Sequence, residues 1–472
     1  MRIWYEVSDL MGWTLPHLTG IQRSVVGIHN GLIDIDCHPR LIRWDAHGSR
    51  FVPLAPAGLP ETIRHCFKAP PDPAPAVAGA AESGGPHAAA GPVAGTAGAR
   101  RRRRGSDPEA RELAAAFRTF RGAFGKYLRS RLRRGTPLPA VLPGYGGTVT
   151  RPQPQPSFAG GHPCAAGDVV LSLGANWWNG HVSALDGLRQ DGVRVVRMIY
   201  DLIPTLRPQW MIGHETRDIT HWIRAALTRS DHVLTISEFS RREIEGYCAE
   251  AGLALPDLSV VRLGDVLDDD AGADSGLARP RFVPARPFFL CVCTIDTRKN
   301  HRLLVDAWSL LAAADPDRCP DLVCIGFPHV LVADLLRETR GDRAINGRIH
   351  LLRNVADAEL RWYYRHCLAT VYPSRYEGWG LPVAESLAHG KLCLASNAAS
   401  IPEISPDLPE FFAPHDVAGL VALVRRTLDD PDWVRGREQE IRDRFRPTPW
   451  AHTAAQVCAA VGAEAGAVPA AA

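Results

Sequence analysis

Apolar residues along the first part of the chain come in short bursts separated by stretches of helical spacing. Ile3–Val7, Asp168–Leu173, Val193–Tyr200, His232–Ile236 and Leu258–Leu263 each read as a buried strand. Thr19-Gly20-Ile21-Gln22-Arg23 opens a helical stretch to about Leu32, and the spacing is again helical over Thr216–Arg229 and after Phe239. Strands of about five apolar residues alternating with helices predict a parallel, doubly wound α/β sheet.

A Pro-flanked, Asp/Gly-rich break spans Asp268–Pro287, and the pattern then restarts. Strands are expected at Phe288–Cys293, Leu322–Ile325, Ile349–Leu352, Thr370–Tyr372 and Leu392–Ala395. Helices are expected from about His301 to Ala314, around Val332–Glu338, and over Ala358–Arg365 and Val383–His389. The expected organisation is an N-terminal Rossmann-like domain over 1–275 and a second one over 286–445, followed by a C-terminal helix and tail over 446–472. Two such domains facing each other put a cleft where strand C-terminal ends meet, the usual ligand position in open α/β sheets.

Between about 69 and 165 the pattern is interrupted. Ala69–Ala99 holds too few large apolar residues to offset the entropy of ordering it, so 69–105 reads as a disordered tether. Beyond it, Leu113, Phe117, Phe120, Phe124, Tyr127/Leu128 and Leu132 recur at steps of three and four, predicting an amphipathic helix over 107–134. The net charge of +3 conceals this segment: Arg100–Arg134 has thirteen basic and three acidic residues, a sum of +10, which leaves −7 elsewhere. A basic helix with an aromatic stripe suits an anionic inner-leaflet surface, and equally a helix docked on its own domain with solvated arginines. An arginine run without base-reading machinery gives no case for nucleic acid.

Composition narrows the class. With 46% hydrophobic and 22% charged residues, the chain of 472 residues can bury an ordinary core. No apolar run reaches the length of a spanning helix, and the opening MRIWYEVSDL lacks the form of a secretory leader. The 11 cysteines are odd in number and never spaced C-x-x-C, and Cys291, Cys293, Cys324 and Cys393 sit in apolar runs, as small buried hydrophobes do. A cytoplasmic location is the expectation, with no metal and no cofactor.

The richest chemistry lies in Tyr372–Glu403, YPSRYEGWGLPVAESLAHGKLCLASNAASIPE. Glu377 precedes Gly378 and Gly380, where backbone can approach a ligand closely, and Pro382 suits a first helical position. Glu377 is therefore expected at a helix N-terminus, with Glu385 inside the helix and facing the same cleft. Free N–H groups there suit a polyphosphate, and an ionised carboxylate suits the hydroxyls of a sugar or ribose.

This stretch resembles the signature of retaining group-1 (family 4 type) glycosyltransferases of the GT-B fold: Glu, seven residues, Glu, set in E-G-W-G-L-P. Phe289–Asn300 (FLCVCTIDTRKN) resembles the family's phosphate segment, and Leu322–Phe327 the strand beside the nucleotide base. Asn397–Glu403 resembles the loop after the motif. Thr19–Arg23, Gly167–Trp178, Tyr200–Pro204 and Leu234–Ser240 resemble a subgroup that assembles bacterial surface polysaccharides.

The resemblance implies a nucleoside-diphosphate sugar as donor, a hexose such as mannose as the group moved, and a glycan or lipid-linked acceptor. It implies Lys299 and Arg298 on the donor's diphosphate, and Glu377 on the sugar hydroxyls with the backbone of Gly378, Trp379, Gly380 and Leu381. Glu385 would hold ribose or orient the phosphate loop; Phe327, Asn354 and Val355 would flank the base. Gly20 would let the N-terminal loop near the reaction centre, with Gln22 or Arg23 near phosphate or acceptor. Asp201 is a further catalytic candidate, although Asp201 and Glu238 also read as helix caps. Trp177 and Trp178 read as packing residues. Two departures stand out: Cys293-Thr294-Ile295 replaces the relatives' Gly-Arg, and Tyr200 stands where many relatives carry His. They admit two alternatives, a non-catalytic sugar-nucleotide-binding scaffold or another GT-B enzyme such as an epimerase or a glycogen-synthase-like polymerase.

Overall fold

The computed structural model describes residues 1–13, 18, 20–47, 49–69, 161–178, 182–211, 213–265, 280–328, 335, 337, 339, 341–342 and 345–464. All of them fall within one compact unit, Met1–Pro71 with Pro156–Ala472. The expected tether and basic helix lie outside the described residues, as do 266–279 of the expected break and most of the helix expected around 332–338.

The first lobe is a seven-stranded sheet in the order β3-β2-β1-β4-β5-β6-β7. Its strands are β1 Ile3–Glu6, β2 Arg40–Asp45, β3 Arg50–Pro53, β4 Val169–Ser172, β5 Arg194–Met198, β6 His232–Thr235 and β7 Leu258–Val260. All neighbours pair in parallel except β2 with β3. Its longer helices are α1 Gly20–Asp34, α2 Val182–Gln190, α3 Gly213–Arg229 and α4 Glu238–Ala251. Sequence reading missed β2 and β3, an antiparallel edge pair: Arg40 and Arg43 interrupt one and Pro53 ends the other, so neither shows the apolar burst of a central strand.

The second lobe is all parallel in the order β10-β9-β8-β11-β12-β13. It comprises β8 Phe288–Val292, β9 Asp321–Ile325, β10 Ile349–Leu352, β11 Ala369–Tyr372, β12 Cys393–Ser396 and β13 Glu410–Phe412. Its helices are α5 His301–Ala314, α6 Asp357–His366, α7 Leu381–Ala388, α8 Val417–Asp429 and α9 Pro431–Arg444. This strand order is the doubly wound dinucleotide-fold order, and with the first lobe it gives the two Rossmann-like sheets that a GT-B fold requires. Gly326, with φ +159°, closes β9 against the Cys293 carbonyl, where a Cβ would stand only 2.0 Å away.

The C-terminal helix α10, Trp450–Val461, returns to the first lobe and packs on α1. A Cβ at Gly27 or Gly31 would meet Trp450 at 2.2 and 2.3 Å, so these two glycines create the groove that admits it. One apolar core runs through β1, β4, α1 and α10 to Tyr372, Trp379 and Val383 of the second lobe. Among the described residues, no helix is long and apolar enough to cross a membrane.

Candidate active site

In the second lobe, consecutive strands spread outward from β8 in one direction and from β11 in the other, so β8 and β11 flank the point where the winding reverses. In open α/β sheets the loops leaving such strand ends diverge, and ligands bind in the crevice between them. The β8 loop carries Arg298 and Lys299, and the β11 loop carries Glu377. Asn300, held at φ +62°, ties the two loops together: its amide donates to the carbonyls of Pro373 (3.0 Å) and Pro414 (2.7 Å).

Glu377 is nearly buried, at 6% exposure, and crowded with donors. Lys299 Nζ lies 2.6 Å from Oε1 and Arg298 Nη1 2.6 Å from Oε2. Ser374 Oγ and the Tyr372 hydroxyl donate to Oε1 at 2.5 and 2.9 Å. Burial alone would raise the Glu377 pKa, but Arg298 and then Lys299 more than reverse this and hold it at about 2. The carboxylate is therefore ionised at any working pH. The two cations share Glu377 and lie close enough to interact with Asp201 of the other lobe, and an arginine beside a lysine suits an anion with two or more oxygens that takes over part of this pairing.

Glu385 lies on α7 one turn beyond the loop and is also buried. Its partners come from both lobes: Arg23 Nη1 of α1 at 2.6 Å, and the Tyr364 hydroxyl of α6 at 2.8 Å. Arg23 also reaches Asp357 at 3.2 Å. Further contacts close the seam between lobes. Glu403 accepts the free N–H groups of Glu238 and Phe239 at the start of α4, at 2.8 and 2.7 Å. Tyr376 donates its hydroxyl to Glu243.

In the first lobe the winding reverses between β1 and β4, and there the chemistry is acidic. Glu6 accepts from Ser8 N–H (2.9 Å), Ser172 Oγ (3.1 Å) and the Asn176 amide. Asp9 Oδ2 accepts from Ala175 N–H at 3.1 Å, while Oδ1 is buried without a hydrogen-bond partner among the described residues. A Cβ at Gly174 would stand 2.5 Å from the Asp9 carboxylate, so only glycine lets it sit there. Burial, with the Glu6 charge beside it, pushes the Asp9 carboxyl up to about 7.

The other residues expected at the donor have these surroundings. A Cβ at Gly378 would meet the Tyr200 carbonyl at 2.4 Å, so the close approach of the opposite lobe's backbone requires glycine there. Gly380, at φ +131°, packs on Ile404, Ile401 and Tyr372 as the residue preceding α7. The Trp379 indole is buried in the shared core with the Arg262 guanidinium 5.3 Å from its ring, and Leu381 begins α7 at the edge of that core. Val355 is a core side chain beside Phe288 and Leu360; its neighbour Asn354 is exposed at φ +53°. Phe327 is half-buried just beyond β9, and its carbonyl accepts from Ile295 N–H at 2.8 Å. Gly20 begins α1 with open space where a Cβ would be.

Asp201 accepts from the N–H of Ile203 at 3.0 Å, the capping geometry, and burial raises its pKa against the pull of Arg298. Ser237, not Glu238, caps α4. The Tyr200 phenol donates to the Leu173 carbonyl at 2.9 Å and is thereby committed within its own lobe. Trp177 packs edge-on against Trp222, and Gln22 is buried in α1. Sequence reading did not foresee Tyr372, Ser374 and Tyr364, whose hydroxyls hold the two glutamates; their only signal was their position at a strand end or on an adjoining helix. Nor did it foresee a set of metal-type ligands: among the described residues, Cys291, Cys293 and His301 bring their ligand atoms within 4.8 Å of one another.

Residues 286–430, within the second lobe, match the family described as Glycosyl transferases group 1. The chain is 27% identical over 296 residues to the serotype-specific mannosyltransferase WbdA of Escherichia coli, covering 61% of this chain and 36% of that protein. It is 27% identical over 244 residues to the O-antigen chain mannosyltransferase B of the same organism, covering 51% of this chain and 62% of the relative. The chain thus spans about a third of the first relative's length and under two thirds of the second's. Among solved structures it is similar to the α,α-trehalose 6-phosphate synthase of Burkholderia multivorans, with a TM-score of 0.47 and 14% identity over 62% of this chain and 70% of that one.

Proposed function

We propose that this protein is a retaining glycosyltransferase that moves a hexose, mannose by the sense of its relatives, from a nucleoside-diphosphate sugar to a glycan or lipid-linked acceptor in surface-polysaccharide synthesis. The observation that carries this reading is the convergence of Lys299, Arg298 and Glu377 at the C-terminal ends of β8 and β11. In this reading the donor's diphosphate takes over the two cations, and Glu377, freed of part of that pairing, accepts from the sugar's hydroxyls. The bond between C1 and the phosphate oxygen breaks as the acceptor oxygen bonds C1 from the same face, and the acceptor's proton passes to the departing phosphate. The protein supplies position and charge stabilisation rather than an acid–base pair.

The test is a thermal-shift panel of nucleoside-diphosphate sugars, followed by NMR of the product formed on an oligosaccharide acceptor. Ligand bound to the native state raises Tm, so one donor is expected to stand out, and the product's anomeric configuration should match the donor's. Tight donor binding without turnover on any glycan extract would sink the enzymatic reading. Contact of residues 100–134 with an anionic inner-leaflet surface belongs to the same reading. Deleting them is expected to abolish co-sedimentation with anionic vesicles and leave donor affinity intact; unchanged co-sedimentation would end that part.

A further inference from the structure

Cys291 and Cys293 lie two residues apart at the end of β8, and His301 is the first residue of α5, on the other side of the loop that bears Arg298 and Lys299. The Cys291 and Cys293 sulfurs are 3.7 Å apart, and His301 Nε2 is 4.0 Å from the first and 3.8 Å from the second. A triangle with those sides has a circumscribed radius of about 2.2 Å, so one point in its plane lies about 2.2 Å from all three atoms. Zinc takes thiolate sulfur at about 2.3 Å and imidazole nitrogen at about 2.0–2.1 Å. The three donors therefore need almost no movement to bind one ion.

Two further observations point the same way. The Cys291 thiol also interacts with Cys324, its register partner on β9, which places a third sulfur beside the group. The charges balance as well: two thiolates and one divalent cation are neutral, as a site this enclosed demands, with Cys291 at 0% and His301 at 4% exposure. Cys293, half-buried, gives an ion a way in.

We infer that Cys291, Cys293 and His301 form a binding site for a thiophilic divalent ion, zinc by ligand type, that fastens together the two ends of the loop 294–300. Binding displaces the two thiol protons, and neither the ion nor the sulfurs change oxidation state. Such an ion would hold Lys299 and Arg298 in place from behind the crevice, outside the reaction itself.

The test uses the full chain, kept reduced, stripped with a chelator and titrated with Zn²⁺ and with Co²⁺. One equivalent per chain is expected, with thiolate-to-cobalt charge-transfer absorption and protection of two thiols from a disulfide reagent. Cys293→Ser and His301→Gln should each weaken binding by on the order of a hundredfold. Cys66→Ser, which removes the half-buried thiol beside His65 in the other lobe, should change nothing. Substoichiometric binding, cobalt spectra without the sulfur band, or equal affinity in Cys293→Ser would overturn the assignment. If Cys293→Ser does not fold, the native chain's cobalt spectrum and thiol protection decide alone. Binding that meets these criteria in a chain inactive towards every donor would support the ion site and leave the transferase reading to its own test.

Discussion

The two lobes share a topology and differ in charge at the same topological point. Each sheet reverses its winding once, between β1 and β4 in the first lobe and between β8 and β11 in the second. The first reversal carries Glu6 and Asp9, with hydroxyl, amide and backbone donors around them. The second carries Arg298 and Lys299 around a single glutamate. A parallel sheet offers a crevice at such a point whatever its sequence, so position says where a ligand sits and charge says which. An acidic crevice repels phosphate and accepts hydroxyl donors; a cationic one does the reverse. In the proposed reading, the contrast gives the diphosphate to the second lobe and an uncharged polyol to the first.

The sharpest way to break this contrast is to remove charge from the second crevice. Lys299→Ala should lower kcat by about a hundredfold, near 3 kcal/mol of barrier, because its charge counts most on the departing diphosphate. Glu377→Gln should cost at least as much, since its neutral amide leaves both cations without their carboxylate and offers the sugar a weaker acceptor. Steady-state kinetics on the donor picked out by thermal shift would read both. A loss confined to KM, with kcat unchanged, would place these groups in ground-state binding only and blunt the contrast.

How far the sequence disclosed this arrangement depends on the range of the forces involved. Most parallel strands were legible as bursts of apolar residues and the helices by their spacing: strand Ile349–Leu352 and helix His301–Ala314 have the bounds expected, and most others differ by a residue or two. Lys299 and Glu377 were placed at one site through the resemblance to a known family, and their ion pair with each other was not foreseen. What was not legible is the seam. The Arg23–Glu385 bond joins residues 362 apart, and nothing local marks either one for the other. Gly378 looked like a ligand-facing glycine because a sequence shows the missing side chain and not what fills its place, which is the Tyr200 carbonyl. Val355 looked like a loop residue beside a base, while its branched side chain had enough apolar neighbours to be drawn into the core.

A middling effect is expected at that seam. Arg23 is the charged partner of Glu385, a carboxylate at 3% exposure. Arg23→Ala leaves that charge with only the Tyr364 hydroxyl, and removing one partner of a buried pair typically costs about 3–5 kcal/mol. Arg23 is itself partly open to solvent, so a loss of about 2 kcal/mol is the expectation, read by urea unfolding. Arg23→Lys should recover part of it. If Arg23→Ala matches the wild type in both stability and donor affinity, the bond between lobes contributes nothing and the two crevices act independently.

The smallest effect, and the most specific probe of the acidic crevice, is pH-dependent. Asp9 has its carboxyl pushed up to about 7 by burial and by Glu6, against an ordinary value near 4. The folded protein therefore binds more protons than the unfolded chain between about pH 4 and 7, and stability falls as pH rises through that window. Above pH 7 the full penalty of burying the charge is present. Asp9→Asn cannot ionise, and its carbonyl can still accept from Ala175 N–H. It should raise Tm at pH 8, by the few degrees that about 1 kcal/mol produces in a chain of this size, and change little at pH 4.5. Glu377 runs the other way: held at about 2, it stabilises the fold above its ordinary range and loses that contribution only as the pH falls towards 2. Its titration therefore cannot imitate the Asp9 signal. An Asp9→Asn gain that is equal at both pH values would come from packing alone. It would mean that the first crevice is not held acidic at a cost, which removes the electrostatic half of the contrast between the lobes.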